Sequence, residues 1–240
     1  MRFWLITAAT VLGVAVTASL GRWQLSRAAE KEALQASIEG QARLPALASA
    51  EVATATDAPA LWWRPVRLQG QWVPERTVFL DNRQMHGQPG FFVLTPLRLA
   101  GSTRVVVVQR GWVQRNFIDR SALPALTTPT GMVELQGRVA PPPSRLYDFQ
   151  GDAAGPIRQN LDLRAFAAET GLALWDASVQ QTGADDAGLL RDWPIPNTGV
   201  DKHYGYAFQW FGLAALLTGL YVWFQFIRPP ARGAASHGRS

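Results

Sequence analysis

HYGYAFQWFGLAALLTGLYVWFQFI, residues 203–227, decides the fold, and Arg228-Pro229-Pro230 follows it at once. From Tyr204 to Ile227 no residue carries a formal charge. The run exceeds the roughly 20 apolar residues that cross a bilayer core. Tyr and Trp gather at both of its ends, as they do at membrane–water boundaries. It reads as a transmembrane helix over 204–227. At about 100° per residue, His203, Tyr206 and Trp210 fall on one side and Gly205, Gly212, Ala215 and Gly219 on roughly the opposite one. Small side chains let helices approach closely in lipid, where packing rather than hydrophobicity drives association. The glycine side is therefore expected to dock a second helix, with an imidazole and two large aromatic rings left near one membrane boundary.

A partner for that face stands at the other end of the chain. Arg2 leads into an uncharged stretch over 3–20, short for a span but sufficient. A cleaved signal peptide is the rival reading. The small-x-small site at Val16-Thr17-Ala18 is imperfect, however, and Arg22, Trp23 and Gln24 continue in a helical pattern, so an anchor is expected. Ala9, Gly13 and Thr17 form a small-residue stripe at i, i+4 and i+8, placed to meet the glycine face. Nothing amphipathic and Arg-rich stands before Phe3, which argues against a mitochondrial precursor. Two spans put both termini on one side. Arg2, Arg228, Arg232 and Arg239 lie outside the spans with no acidic residue beside them, so the positive-inside rule predicts cytoplasmic termini and an extracytoplasmic 21–202 region. In a bacterium that is a multi-pass inner-membrane protein with a periplasmic domain. Much of the net charge of +5 sits on these ends. The middle is nearly neutral, and no nucleic-acid partner is expected.

Residues 21–38 continue as a helical stalk of Ala, Leu, Glu, Lys and Gln. Residues 46–60, rich in Ala, Thr and Pro, read as a loose connection. A β-rich core spans 62–181. Alternation and β-branched runs predict strands over 66–73, 77–82, 91–99, 104–108, 132–139 and 172–180, with a turn at 86–90. A helix over 162–170 is opened by Asp162 and closed by Gly171. The expected fold is thus an α+β membrane protein, two transmembrane helices flanking a barrel or sandwich. Residues 185–201 read as a tether, and the 228–240 end as a disordered cytoplasmic tail.

The chain has no cysteine, which excludes disulfides, iron–sulfur clusters, thiol catalysis and c-type haem attachment. It contains no Gly-x-Ser-x-Gly, His-Glu-x-x-His, P-loop or Gly-x-Gly-x-x-Gly, and no enzyme is expected. Histidine occurs only at 86, 203 and 237, too scattered for a three-histidine metal site. His203 has two readings. It is an axial ligand for a membrane-embedded planar cofactor such as haem, with Tyr206 and Trp210 supplying ring surface, or a boundary histidine in an aromatic belt. His86 beside Met85 is a copper-binding pair or an ordinary exposed turn. Arg110 pairs with a carboxylate or a haem propionate, or caps local structure.

Several motifs, in their order, carry a resemblance. They are LGRWQLSR at 20–27 with Lys31 following, Pro65-Val66 with Gly70, GFFVLTPL at 90–97, VVQRGWV at 107–113, RDWP at 191–194 and HYGYAFQWFGLA at 203–214. Together they resemble the surfeit locus protein 1 family of cytochrome c oxidase assembly factors over nearly the whole chain. Gln109, Gln114 and Asp201-Lys202 depart from the Asn, Pro and asparagines expected there. The resemblance implies a part in building the catalytic subunit of a haem-copper oxidase. It implies haem a as the cofactor, with His203 its iron ligand, and haem-modifying enzymes as further partners beside membrane lipid. The leading expectation is a non-enzymatic assembly factor that binds haem a and assists its insertion. The alternative is a membrane scaffold that stabilises the subunit without binding haem.

Overall fold

The computed structural model describes residues 1–119, 122–147, 155–184, 188–194 and 199–228. They form two units, one drawn from 37–196 and one from the two ends of the chain. In chain order the elements begin with helix α1 (Arg2–Ala42), strand β1 (Leu47–Ala48) and helix α2 (Ser49–Thr54). Strands β2 (Pro65–Trp72), β3 (Val78–Met85), β4 (Gln88–Leu99), β5 (Val105–Gln114), β6 (Met132–Ala140) and β7 (Ile157–Arg158) follow. Helix α3 (Leu163–Thr170), strand β8 (Leu174–Gln181) and helix α4 (Val200–Val222) complete the chain, with a wider turn over Trp223–Ile227 at the end of α4.

The sheet settles the choice between barrel and sandwich. Strands β2, β6, β8, β5 and β4 are hydrogen-bonded in that order, and β4 pairs again with β2, so five strands close into a barrel. Strand β4 makes closure possible because one of its edges is shared. Residues 88–94 pair with β3 and 97–99 with β2, while the other edge pairs with β5. Pro96, which has no N–H to donate, lies at the changeover. Gly70 stands where β2 meets β4, and a Cβ there would lie 2.3 Å from the Arg98 carbonyl oxygen.

Val105, Val106, Val107 and Val108 are all fully buried. Val106 and Val108 join Leu68, Leu97, Leu135, Trp175 and Val179 in the main core. Val107 packs instead with Leu80, Leu94 and Phe166 of α3. A strand covered on both faces explains the unbroken valine run. Helix α3 forms where Asp162 predicts it. Its carboxylate accepts from the Arg164 and Ala165 N–H groups at 2.9 Å, and Gly171 ends the helix at φ 69°. Arg158 grips Glu169 with both guanidinium nitrogens, at 2.7 and 2.5 Å, and lies over the Phe166 ring. The Ala165 N–H holds the Asp162 carboxyl below its ordinary range, and the Arg158 hydrogen bond does the same for Glu169.

Several boundaries differ from expectation. The 86–90 turn shrinks to His86-Gly87, both at positive φ, the two-residue hairpin turn whose twist suits the strands it joins. Gln88-Pro89-Gly90 belong to β4, and β5 runs on through the Arg-Gly-Trp motif to Gln114. The 46–60 stretch is not a loose connection. It holds β1 and α2, whose Val52 is buried in the main core, and the Arg104 guanidinium donates to the Val52 and Ala55 carbonyls. Part of the 185–201 tether is fastened to the sheet. Leu190 and Trp112 exchange backbone hydrogen bonds of 2.8 and 2.7 Å, and Trp193 packs edge-on against Phe92. Residues 185–187, 195–198 and the tail from 229 lie outside the described residues.

In the other unit α1 and α4 run antiparallel and pack together. Both are long and apolar enough to cross a membrane, and almost none of either apolar stretch is buried within the protein. The covered positions of α1 include Thr7, Thr10, Val14, Thr17, Gly21, Gln24 and Ala28, and those of α4 include His203, Ala207, Trp210, Ala214, Leu217 and Tyr221. Alternating steps of three and four are the repeat of helices that coil around each other. The small-residue stripe of α1 is used in part: Thr17 is buried and a Cβ on Gly13 would touch Leu217 at 3.4 Å, whereas Ala9 is exposed; beyond the stripe, a Cβ on Gly21 would sit 2.8 Å from the Phe211 ring. The glycine face of α4 is not. Gly205, Gly212 and Gly219 have no atom within 4 Å of an added Cβ. Ala207 and Ala214 provide the close approach instead. Their row carries polar groups at both ends that find partners on α1, so neither is left as an unpaired polar group.

Three outcomes are expected. Gly70→Ala lowers stability by about 1–3 kcal/mol, read by denaturant unfolding, because β2 must leave β4. Asp162 and Glu169 titrate lower folded than unfolded, so their contribution is complete above about pH 5 and is lost as pH falls through the lowered values. Glu169→Gln therefore flattens the acid limb of a stability–pH profile. In this cysteine-free chain, Gly13→Cys with Leu217→Cys joins α1 to α4 through a short thiol crosslinker, seen as a mobility shift after cleavage between them.

Candidate cofactor site on the helix pair

The polar end of the helix seam is built from three turns of α1 and the first turns of α4. Gln24 follows Gly21 and precedes Ala28 in the covered row of α1. With a hydrogen atom on one side and a methyl group on the other, it is the long side chain at that level. Its Oε1 lies 2.7 Å from His203 Nδ1. Next along α4, the Tyr204 hydroxyl donates to the Glu32 carboxylate at 2.9 Å. At the far end of the seam, the Thr7 and Tyr221 hydroxyls lie 2.8 Å apart.

His203 is half-buried and turned into the seam, not left on a bare outer face. An amide oxygen only accepts, so the nitrogen facing it carries the proton, and a neutral imidazole then presents a lone pair at Nε2. Nε2 makes no hydrogen bond among the described residues. Such a nitrogen can donate to a transition metal. Trp210 shares the His203 row and is half-buried, whereas Tyr206 is 51% exposed on its flank. The three residues singled out on α4 thus stay on one side of the helix, with His203 and Trp210 in the seam. Gln24 and Glu32 were not foreseen as their neighbours. The legible sign was the three-and-four spacing that puts Gln24 in line with Thr17, Gly21 and Ala28.

The other candidates lie in the barrel unit. Met85 is buried, while the His86 side chain is exposed with Nε2 2.9 Å from an Asp192 oxygen. Among the described residues no three His, Asp or Glu side chains group as a metal site. Arg110 is buried, its guanidinium over the Trp72 ring at 5.0 Å and donating to the Thr128 hydroxyl and the Thr127 carbonyl. It ties residues 127–128, which precede β6, to β5. Gln109 donates to the Ser178 hydroxyl at 2.8 Å inside the core, so the longer amide there is accommodated by β8.

The chain is similar to known proteins over most of its length. The sequence profile of the SURF1 family matches residues 11–215, which takes in most of both helices and the whole barrel. A SURF1-like protein of Rickettsia felis is 30% identical over 213 residues, covering 85% of this chain and 89% of that one. One from Rickettsia conorii is 28% identical over 214 residues, 85% and 84% of the two chains. One from Drosophila melanogaster is 27% identical over 232 residues, 88% and 74% of the two. With the match running through both helices and every strand between them, the chain belongs to the SURF1 family.

Proposed function

We propose that this protein is a non-enzymatic assembly factor for a haem-copper oxidase, which binds haem a at the helix seam and assists its insertion into the catalytic subunit. The observation that carries this reading is the state of His203. Its Nδ1 is engaged by Gln24, and its Nε2 has no hydrogen bond among the described residues. That donor fits haem iron, which takes a neutral imidazole whose other N–H is directed at an acceptor. The bound group would supply an iron centre that accepts a nitrogen donor, which the His203 imidazole would provide. Tyr206 offers exposed ring surface next to the histidine, with Trp210 one turn further along. One protein ligand at the edge of a helix pair suits a carrier, which must release its cargo. The arginines outside the spans support cytoplasmic termini and an extracytoplasmic barrel, in a bacterium the periplasmic side of the inner membrane. Membrane lipid covers the apolar helix surfaces, and haem-modifying enzymes are the source of the cargo.

One observation favours a second reading. The unpacked Gly205, Gly212 and Gly219 leave a smooth strip on α4 that a partner's transmembrane helix could approach closely. In that reading the chain is a scaffold that stabilises the catalytic subunit without carrying haem.

Purification from cells that make haem a separates the two. The wild type is expected to carry a haem absorbance spectrum, and His203→Ala to lose it by about tenfold or more. Equal haem content in both rejects His203 as the ligand. Absence of haem from the wild type, with the oxidase subunit copurifying, favours the scaffold.

A further inference from the structure

The seam contact between Gln24 and His203 joins residues 179 positions apart in the chain. A neutral imidazole places its proton on either ring nitrogen, and only one choice leaves Nε2 able to bind a metal. With the Gln24 amide oxygen turned to Nδ1, that nitrogen donates and Nε2 is left with its lone pair. Gln24 is suited to it in three ways. Its oxygen is within 2.7 Å of the ring. Its neighbours in the seam, Gly21 and Ala28, are buried and small, so the long amide is not displaced by competing side chains. And an amide orients the ring without adding a charge near the membrane, where an ionised acceptor is costly. The adjacent Tyr204–Glu32 hydrogen bond holds the first turn of α4 against α1 without touching the imidazole.

We infer that Gln24 is the positioning residue for His203: it holds the ring in the Nδ1-protonated form and so keeps the Nε2 lone pair available to a metalloporphyrin. The haem part of this inference rests on the function proposed above, whereas the tautomer does not. Glutamine at position 24 is then a requirement of the ligand and not only of helix packing.

The test uses the full-length chain in detergent, with nitrogen-15 histidine, before any haem is added. The His203 ring is expected to show a protonated Nδ1 and a bare Nε2 in the wild type and in Tyr204→Phe. Gln24→Leu is expected to move the proton towards Nε2. The same proteins are then titrated with haem a. Gln24→Leu should bind about 10–100-fold more weakly, Tyr204→Phe should bind like the wild type, and Gln24→Glu, which keeps an acceptor, should recover most of the affinity. The crosslink between Gly13→Cys and Leu217→Cys shows that the helix pair is intact in each variant. An unchanged ring tautomer in Gln24→Leu overturns the inference, as does an equal loss of affinity in Tyr204→Phe, which would mean that both contacts only hold the helices. A wild type that binds no haem overturns the function proposed above and the haem part of this inference, while the ring measurement still decides whether Gln24 sets the proton.

Discussion

The helix pair depends on how closely two backbones can come. Where the Phe211 ring lies against Gly21, and where Ala207 and Ala214 lie in the seam, one of the two helices offers little more than backbone to the other. Lipid tails are as apolar as leucine, so contact area and hydrogen bonds, not exclusion from water, keep two such helices together. Close approach is what brings an amide of α1 within reach of an imidazole of α4. With bulkier residues along that row, Gln24 and His203 would be separated and each would need another partner. The chemistry at the site is therefore a result of the packing beneath it.

The barrel unit works on a different economy. Its strands are held by ordinary burial, with valines of β5 covered on both sides, and its closure hangs on a local steric permission at Gly70. Its arginines are turned to the protein's own carbonyls and rings: Arg104 to the end of α2, Arg110 to the 127–128 loop, Arg158 to α3. These long side chains tie α2, residues 127–128 and α3 to the sheet.

Much of this was legible in the sequence. Strand cores showed as apolar alternation or valine runs, and α3 showed through Asp162 and Gly171, because such signals act within a few residues of where they are written. What failed to show was relational. Residues 46–60 looked loose because alanine and threonine give weak local signals, yet Val52 finds a place in the core. The glycines of α4 looked like its docking face because small residues permit contact, but permission does not choose among faces. The choice followed from His203 and Tyr221, whose partners lie on the other helix. Gln24 was seen as part of a helical pattern and not as part of a site, since nothing near it in sequence reveals a ring 179 positions away.

At the two ends of the strand order lie β1 and β7, each of only two residues. The remaining outer margin of β3 is bent by a bulge at Asp81-Asn82. A neighbouring molecule that tried to extend the sheet would find too few aligned peptide groups to grip. Short, bent margins of this kind discourage a second copy from adding to the sheet edge to edge, and so favour recognition through side chains.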